Sequence, residues 1–281
     1  NDNIGGNRWA YETGWRIETA RLPLGGPTYG YSPYNQYVEA VIGNPDLHWE
    51  TAVKNNLGIE LAVLDMFTLN TEIFKDYRTG IFMNASQRNI PIYFGAPAVA
   101  ANLGKTETKG FEVDLKFRKT NMQGLNYWAS LSYTRAIDEV KYMEDPELLP
   151  DYQKKEGFQI DQITSQLDAG FINNWDDVYA APFLASNNNL KLPGDFYIVD
   201  FNADGKIDAF DSAPYAFPTR PQNTYNLTTG IKYKGFSAHV QFYGVYNVSR
   251  SVDWTLLSYA DQPNMLVYGF HKDYYTIDNP Y

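Results

Sequence analysis

Residues 221–247, PQNTYNLTTGIKYKGFSAHVQFYGVYN, hold two runs of about ten residues that alternate in polarity and meet at Lys234-Gly235. A period of two places successive side chains on opposite faces, which excludes a helix and predicts a β-hairpin. One face carries Tyr225, Leu227, Thr229, Ile231 and Tyr233, then Phe236, Ala238, Val240, Phe242, Gly244 and Tyr246. The other carries Asn226, Thr228, Gly230, Lys232, Ser237, His239, Gln241 and Tyr243, and Gly235 supplies the positive φ that a tight reversal requires. Aromatic residues stand at the ends of the apolar face. Strands of this length with aromatic ends suit a transmembrane β-barrel. A soluble β-sandwich alternates in the same way, and periodicity does not tell lipid from a second sheet.

The same period recurs upstream. Leu57, Ile59, Leu61, Val63 and Phe67 alternate with Gly58, Glu60, Ala62 and Leu64, and after a reversal near residues 65–69 a strand of mixed alternation runs to about Phe82. KGFEVDLKFRKT sets Phe111, Val113, Leu115 and Phe117 against Glu112, Asp114, Lys116 and Arg118. The turn NMQGL leads to NYWASLSYTRAIDEV, where Tyr127, Ala129, Leu131 and Tyr133 oppose Trp128, Ser130, Ser132 and Thr134. Residues 1–53, 83–106 and about 140–220 keep no sustained period and are expected as long loops, with a short helix in GFINNWDDVY.

A loop of roughly eighty residues is foreign to a compact soluble domain, whose connections have a median of ~4–6. Long and short connections alternate along the chain, as in strands that thread a membrane with tight turns on one side and large loops on the other. The expected fold class is therefore all-β: about six strands of an antiparallel transmembrane β-barrel, with long extracellular loops. Barrels of this kind need at least ~8 strands, so these would belong to a larger one.

Composition agrees and excludes other classes. Aromatic residues make up 16%, with 23 tyrosines, and Tyr suits positions that are apolar at one end and wet at the other. No run of ~18 apolar residues occurs, so no transmembrane helix is expected. A net charge of −10 argues against a nucleic-acid partner, and the lack of cysteine rules out thiolate chemistry and disulfides. The opening NDNIGGNRWAYE has neither a basic start nor an apolar core, so no signal peptide is expected, and a barrel chain opening this way would be processed or truncated.

Five segments fall in register with the strands: NDNIGGNRW at 1–9, GNPDLHWE at 43–50, NLGKTETKGFEVDLKF at 102–117, PGDFYIVDFNADGKIDAFD at 193–211 and YKGFSAHVQFYGVYN at 233–247. Together they resemble the SusC/RagA-like class of TonB-dependent outer-membrane transporters of Bacteroidetes. That resemblance implies a large barrel of ~22 strands around an N-terminal plug. It further implies a cap formed by a SusD-like surface lipoprotein and import of glycans or peptides with energy from TonB. Residues 1–281 would be a partial barrel domain in the bacterial outer membrane, with the plug, the TonB-contacting segment and the final strands absent. Tyr233 and Phe236 would lie at the periplasmic interface, with Tyr225 and Tyr246 toward the outside. The alternative is a soluble extracellular, calcium-stabilised, carbohydrate-binding β-sandwich.

One local motif carries chemistry of its own. In DFNADGKIDAFD, Asp200, Asn202 and Asp204 occupy positions 1, 3 and 5 of an EF-hand-type loop, and Gly205 takes the sharp turn. Lys206 offers its carbonyl at position 7, and Asp208 and Asp211 stand at positions 9 and 12. Hard oxygen ligands at this spacing suit Ca²⁺, although Asp at position 12 reaches less far than Glu; an acidic turn held by solvent is the plainer reading. His48, His239 and His271 are scattered, no hydrolase or phosphate-loop motif occurs, and no catalysis is expected. His239 beside Gln241 is expected to face a barrel lumen. Trp9, Trp175 and Trp254 are expected mainly to pack within loops, with stacking on sugar rings as the other use.

Overall fold

The computed structural model describes residues 9–18, 36–95 and 98–252 together with Thr276. His271, Trp254 and residues 1–8 lie outside the described residues. In chain order the strands begin with β1 (Gly14–Glu18), β2 (Gln36–Val41), β3 (Thr51–Val63), β4 (Phe67–Met83), β5 (Ala101–Thr120) and β6 (Asn126–Tyr142). Short elements follow: β7 (Thr164–Gln166), β8 (Asp168–Phe171), α1 (Trp175–Ala180), β9 (Phe183–Leu184), β10 (Phe196–Ile198), β11 (Lys206–Ile207) and β12 (Ser212–Pro214). The chain then returns through β13 (Asn223–Tyr233) and β14 (Phe236–Tyr246).

Six long strands form one antiparallel sheet in the order β14-β13-β6-β5-β4-β3. Its connections alternate as expected. Residues 64–66, 121–125 and 234–235 turn at one end, and residues 84–100 and 143–222 connect at the other. The tightest turn has φ +45° at Lys234 and +89° at Gly235, the two positive values of the hairpin turn whose twist matches its strands. Tyr233 and Phe236 pair directly across it.

Register assigns the faces. One row crosses all six strands as Leu61, Leu69, Leu115, Leu131, Leu227 and Phe242. The matching row on the opposite face reads Glu60, Asn70, Asp114, Ser132, Asn226 and Tyr243. Gly110 allows the close strand approach near the loop end: a Cβ there would lie 2.1 Å from the Arg135 carbonyl oxygen and 2.6 Å from the Phe74 ring.

No second sheet covers the apolar face among the described residues, so the sandwich alternative finds no second layer. Leu57, Ile73, Ile231 and Phe242 are 67%, 61%, 53% and 56% exposed. The buried apolar residues Met83, Val140, Ile172, Val178, Ile207 and Ala213 belong instead to the loop end and its package of short elements.

Three boundary expectations need correction. Residues 1–53 are not one loop, because β1 and β2 pair and β3 already starts at Thr51. Residues 83–106 give up their last six positions to β5, which reaches back to Ala101. The first reversal occupies 64–66 rather than 65–69, so Phe67 opens β4 and pairs with Val63. In the second case the added positions do not alternate in polarity, and in the first β1 and β2 span only five and six residues, too few for a period to stand out. The segment 140–220 contains the expected short helix, α1, but is less irregular than its sequence: β7 pairs β12, β8 pairs β10, and β9 pairs β11 in parallel.

Candidate functional site

The apolar band is bounded at each end by a change of chemistry. At the turn end, Phe67 and Phe117 rings lie 4.8 Å apart and Phe117 and Tyr127 5.7 Å, with Tyr233 and Phe236 completing the edge. At the loop end, Phe111 and Tyr133 rings are 5.7 Å apart, and the Tyr133 hydroxyl meets the Tyr246 hydroxyl at 2.7 Å. The turn-end edge steps along the register from β4 to β14, the slant expected of tilted strands, while at the loop end Phe111 and Tyr246 share one row and Tyr133 and Tyr225 the next row inward. The expected sidedness holds in topology: the 234–235 turn lies at the opposite end from the 143–222 connection, and Tyr225 and Tyr246 lie toward that connection.

The polar face gathers Glu60, Glu72, Glu112 and Asp114 on β3 to β5, with Glu72 directly across from Glu112. Farther toward the turns this face becomes basic and amphipathic, with Lys116 across from Thr68 and Ser130 and Arg118 across from Trp128. His239 and Gln241 also stand on it, as expected.

At the loop end the landmark segment 43–50 is a clamp. The Asn44 side-chain amide donates to the Ala100 carbonyl at 2.8 Å. His48 N–H donates to Asn102 Oδ1 at 3.0 Å, and Asn102 Nδ2 donates back to the carbonyls of His48 at 2.9 Å and Gly80 at 2.8 Å. Asn44 and Asn102 were not singled out by sequence; their only signal was a place in two landmark segments. A second clamp joins the loops. Arg88 grips Glu144 through Nε at 2.5 Å and Nη2 at 3.2 Å, and Asn89 N–H donates to the same carboxylate at 3.1 Å. The Arg88 guanidinium, helped by that N–H, holds the Glu144 carboxyl below its ordinary range against the opposing effect of burial.

The acidic loop is ordered through its own groups. Asp200 accepts N–H bonds from Asp204 at 3.2 Å and Gly205 at 2.7 Å, and Asn202 accepts one from Asp204 at 3.0 Å. Those bonds draw the side chains of 200, 202 and 204 around one turn. Asp208 is paired with the Lys206 ammonium and accepts the Phe210 N–H, which together hold its carboxyl below the ordinary range. Asp211 is fully buried and accepts N–H bonds from Phe201 at 2.8 Å and Asp208 at 2.7 Å. Among the described residues no three acidic or histidine side chains converge in a metal-holding cluster. Trp9 and Trp175 are 59% and 56% exposed, and the Trp9 ring lies 5.9 Å from that of Tyr11, so loop packing covers each in part.

A sheet with one apolar face, aromatic borders, a polar reverse and alternating short and long connections is the wall of a transmembrane β-barrel. The family pattern described as "TonB dependent receptor-like, beta-barrel" matches residues 9–278. The chain belongs to that family of outer-membrane barrels. It is 23% identical over 223 residues to TonB-dependent receptor P3 of Formosa agariphila, covering 76% of this chain and 22% of that protein. TonB-dependent receptor P39 of the same organism is 25% identical over 126 residues, covering 44% and 12%. The fold matches solved structures of the RagAB peptide importer in its "closed-closed" and "open-open" states with TM-scores of 0.59 and 0.61. Both matches are 14% identical and cover 85% of this chain. The chain spans about a quarter or less of the length of these relatives. No helix among the described residues is long and apolar enough to cross a membrane, which has no bearing on strands.

Two outcomes follow from this geometry. Leu115→Lys, in the middle of the lipid-facing row, should cost ~2–4 kcal/mol in a urea titration of vesicle-folded receptor. Lys116→Leu on the reverse face should stay within ~0.5 kcal/mol, and equal costs at both positions would show the faces to be misassigned. The second outcome concerns pH. Because Glu144 titrates below its ordinary value of 4.5, the clamp contributes fully above that value and is lost as pH falls through the lower folded value. Proteolysis of residues 84–95 and 143–156 should therefore accelerate on acidification below 4.5, and Glu144→Gln should remove the step.

Proposed function

We propose that this chain is a stretch of barrel wall in a SusC/RagA-like importer of the bacterial outer membrane, taking up a peptide or glycan with energy from TonB. The observation that carries the reading is the two-faced six-stranded sheet whose short turns and long loops segregate to opposite ends. The polar face with Glu60, Glu72, Glu112 and Asp114 lines the lumen in this reading, and the package at 143–222 lies outside the cell, where a SusD-like lipoprotein would cap it. The 281 residues form part of the barrel domain, and a receptor of the relatives' length supplies the plug and the remaining strands. The solved relatives are peptide importers, which supports a peptide as one of the two substrate classes.

Uptake by cells carrying the complete receptor tests this. Labelled oligopeptides and oligosaccharides should be offered to wild-type, receptor-deleted and TonB-deleted strains. Uptake of one class should fall in both deletions. Uptake indifferent to the receptor, or persisting without TonB, would overturn the reading.

The same reading includes a calcium ion at the acidic loop. Asp200, Asn202 and Asp204 would hold it, with the Lys206 carbonyl, and Asp208 and Asp211 would join only by exchanging the Lys206 ammonium and backbone N–H groups for the ion. Its support is the D-x-N-x-D-G spacing and the turn that collects the first three side chains. Bound there, calcium would neutralise crowded carboxylates and stiffen the approach to β13. Added calcium should slow proteolysis of residues 195–220 at ~10⁻⁴–10⁻³ M, and Asp204→Ala should abolish that protection with the sheet intact. Equal proteolysis in calcium and chelator would remove the ion from the reading.

A further inference from the structure

We propose that Lys75, Lys109 and Arg135 form an outward-facing site for the phosphate of a membrane lipid, at the loop-end border of the apolar band. The proposal rests on the barrel reading, which makes the Leu61-to-Phe242 face the lipid face. On β5 the apolar run Phe111, Val113, Leu115 and Phe117 ends on this face at Lys109. On β4 the run ends beyond Ile73 at Lys75, and on β6 beyond Tyr133 at Arg135. The three cations lie just beyond the apolar and aromatic residues Ile73, Phe111 and Tyr133, one per neighbouring strand. Lys75 and Lys109 are direct cross-strand partners, and Arg135 lies one step along β6 from the partner of Lys109.

Like charges directly opposite each other are unfavourable in a sheet unless something neutralises them. The protein supplies only part of that. Lys75 is bridged to Glu107 at 2.8 Å, and Glu139 is already engaged by Lys141 at 2.6 Å. Among the described residues neither Lys109 nor Arg135 has an ion-pair partner, and both are exposed. This concentration of positive charge stands on a chain whose net charge is −10, so it does not follow from composition. The turn-end border offers Lys119 as its one outward strand cation and otherwise aromatic rings.

A second observation comes from Asn223, directly across from Arg135 on the same face. It is 2% exposed, its Oδ1 accepts the Tyr133 hydroxyl at 2.8 Å, and its Nδ2 has no partner. A buried donor left unpaired on the residue that pairs across the strands with Arg135 suits an acceptor-rich group that is not part of the chain. Phosphate fits: it is anionic and carries several acceptor oxygens, and in a lipid its acyl chains would lie along the adjacent Phe111, Leu115 and Leu131. A soluble anion would use the cations but gain nothing from the apolar rows below them.

The test uses the complete receptor in detergent, with native mass spectrometry counting retained diphosphorylated lipid A against its dephosphorylated form. A cation near an anionic leaflet is worth roughly fivefold, so with Lys75 neutralised by Glu107 the two remaining cations give an expected preference of about 25-fold for the phosphorylated form. The Lys75→Gln, Lys109→Gln and Arg135→Gln triple variant should lose the preference. Lys116→Gln with Arg118→Gln on the reverse face should keep it, as should Lys75→Arg with Lys109→Arg. Equal retention of the two lipids by wild type, an undiminished preference in the triple variant, or displacement by millimolar inorganic phosphate alone would overturn the proposal. A receptor that stays monodisperse without detergent would overturn the barrel reading and this proposal together. Loss of lipid preference with an intact detergent requirement would overturn this proposal alone.

Discussion

Within a hydrocarbon layer a backbone N–H or C=O has no solvent partner, so every such group in the band between the two borders has to be met by a neighbouring strand. The sheet obeys this through unbroken ladders from β3 to β14, with irregularities at residues 78–82 and 105–106, near the loop end and clear of the band. The outer edges of β3 and β14 obey the same requirement, so a sheet of this kind is stable in lipid only when both are paired in turn. Side-chain burial plays a smaller part than in a soluble domain. The leucine row is open on its outer face, and the solvent that accepts it is lipid.

The same constraint explains what could be read from the residues alone. From Phe111 to Arg118 the two environments alternate at every step, and the strand and its facing follow from eight residues. From Lys105 to Lys109 both faces are polar, so the signal fades although the ladder continues to pair Glu107 with Glu139 and Thr108 with Asp138. Residues 36–41 and 164–214 fail for another reason. Their strands span two to six residues, too few for a period to stand out, and side chains such as Gln153 and Gln162, which donate to the carbonyls of Ala209 and Ala216, tie distant segments together. The acidic loop was legible as a set of oxygens at ligand spacing. Spacing does not encode the competition between a cation, the Lys206 ammonium and the backbone N–H groups that already occupy Asp208 and Asp211.

The two clamps show how the loop end is fixed to the wall. Asn102 reaches from β5 to the carbonyls of His48 and Gly80, so three separate stretches of chain share one side-chain amide. Arg88 and Glu144 join the 84–100 loop to the start of the 143–222 connection, and Arg88 also donates to the Val99 carbonyl. The loops are therefore referenced to the strands on which they stand.

The internal pairing of the long connection also bears on the order of assembly. Three hairpins close through local turns, but β6 and β13 can join only after about eighty residues have been bridged. Val140 exchanges backbone bonds with residues 157 and 158, and Tyr215 N–H donates to the Ile163 carbonyl. Once these contacts exist, the effective span from β6 to β13 shrinks to about a dozen residues, and the loop-closure cost of that pairing falls by about 1.5 kcal/mol. The package thus brings two hairpins made far apart in the chain into register, a scaffold for building the wall as well as a part of its finished loop end.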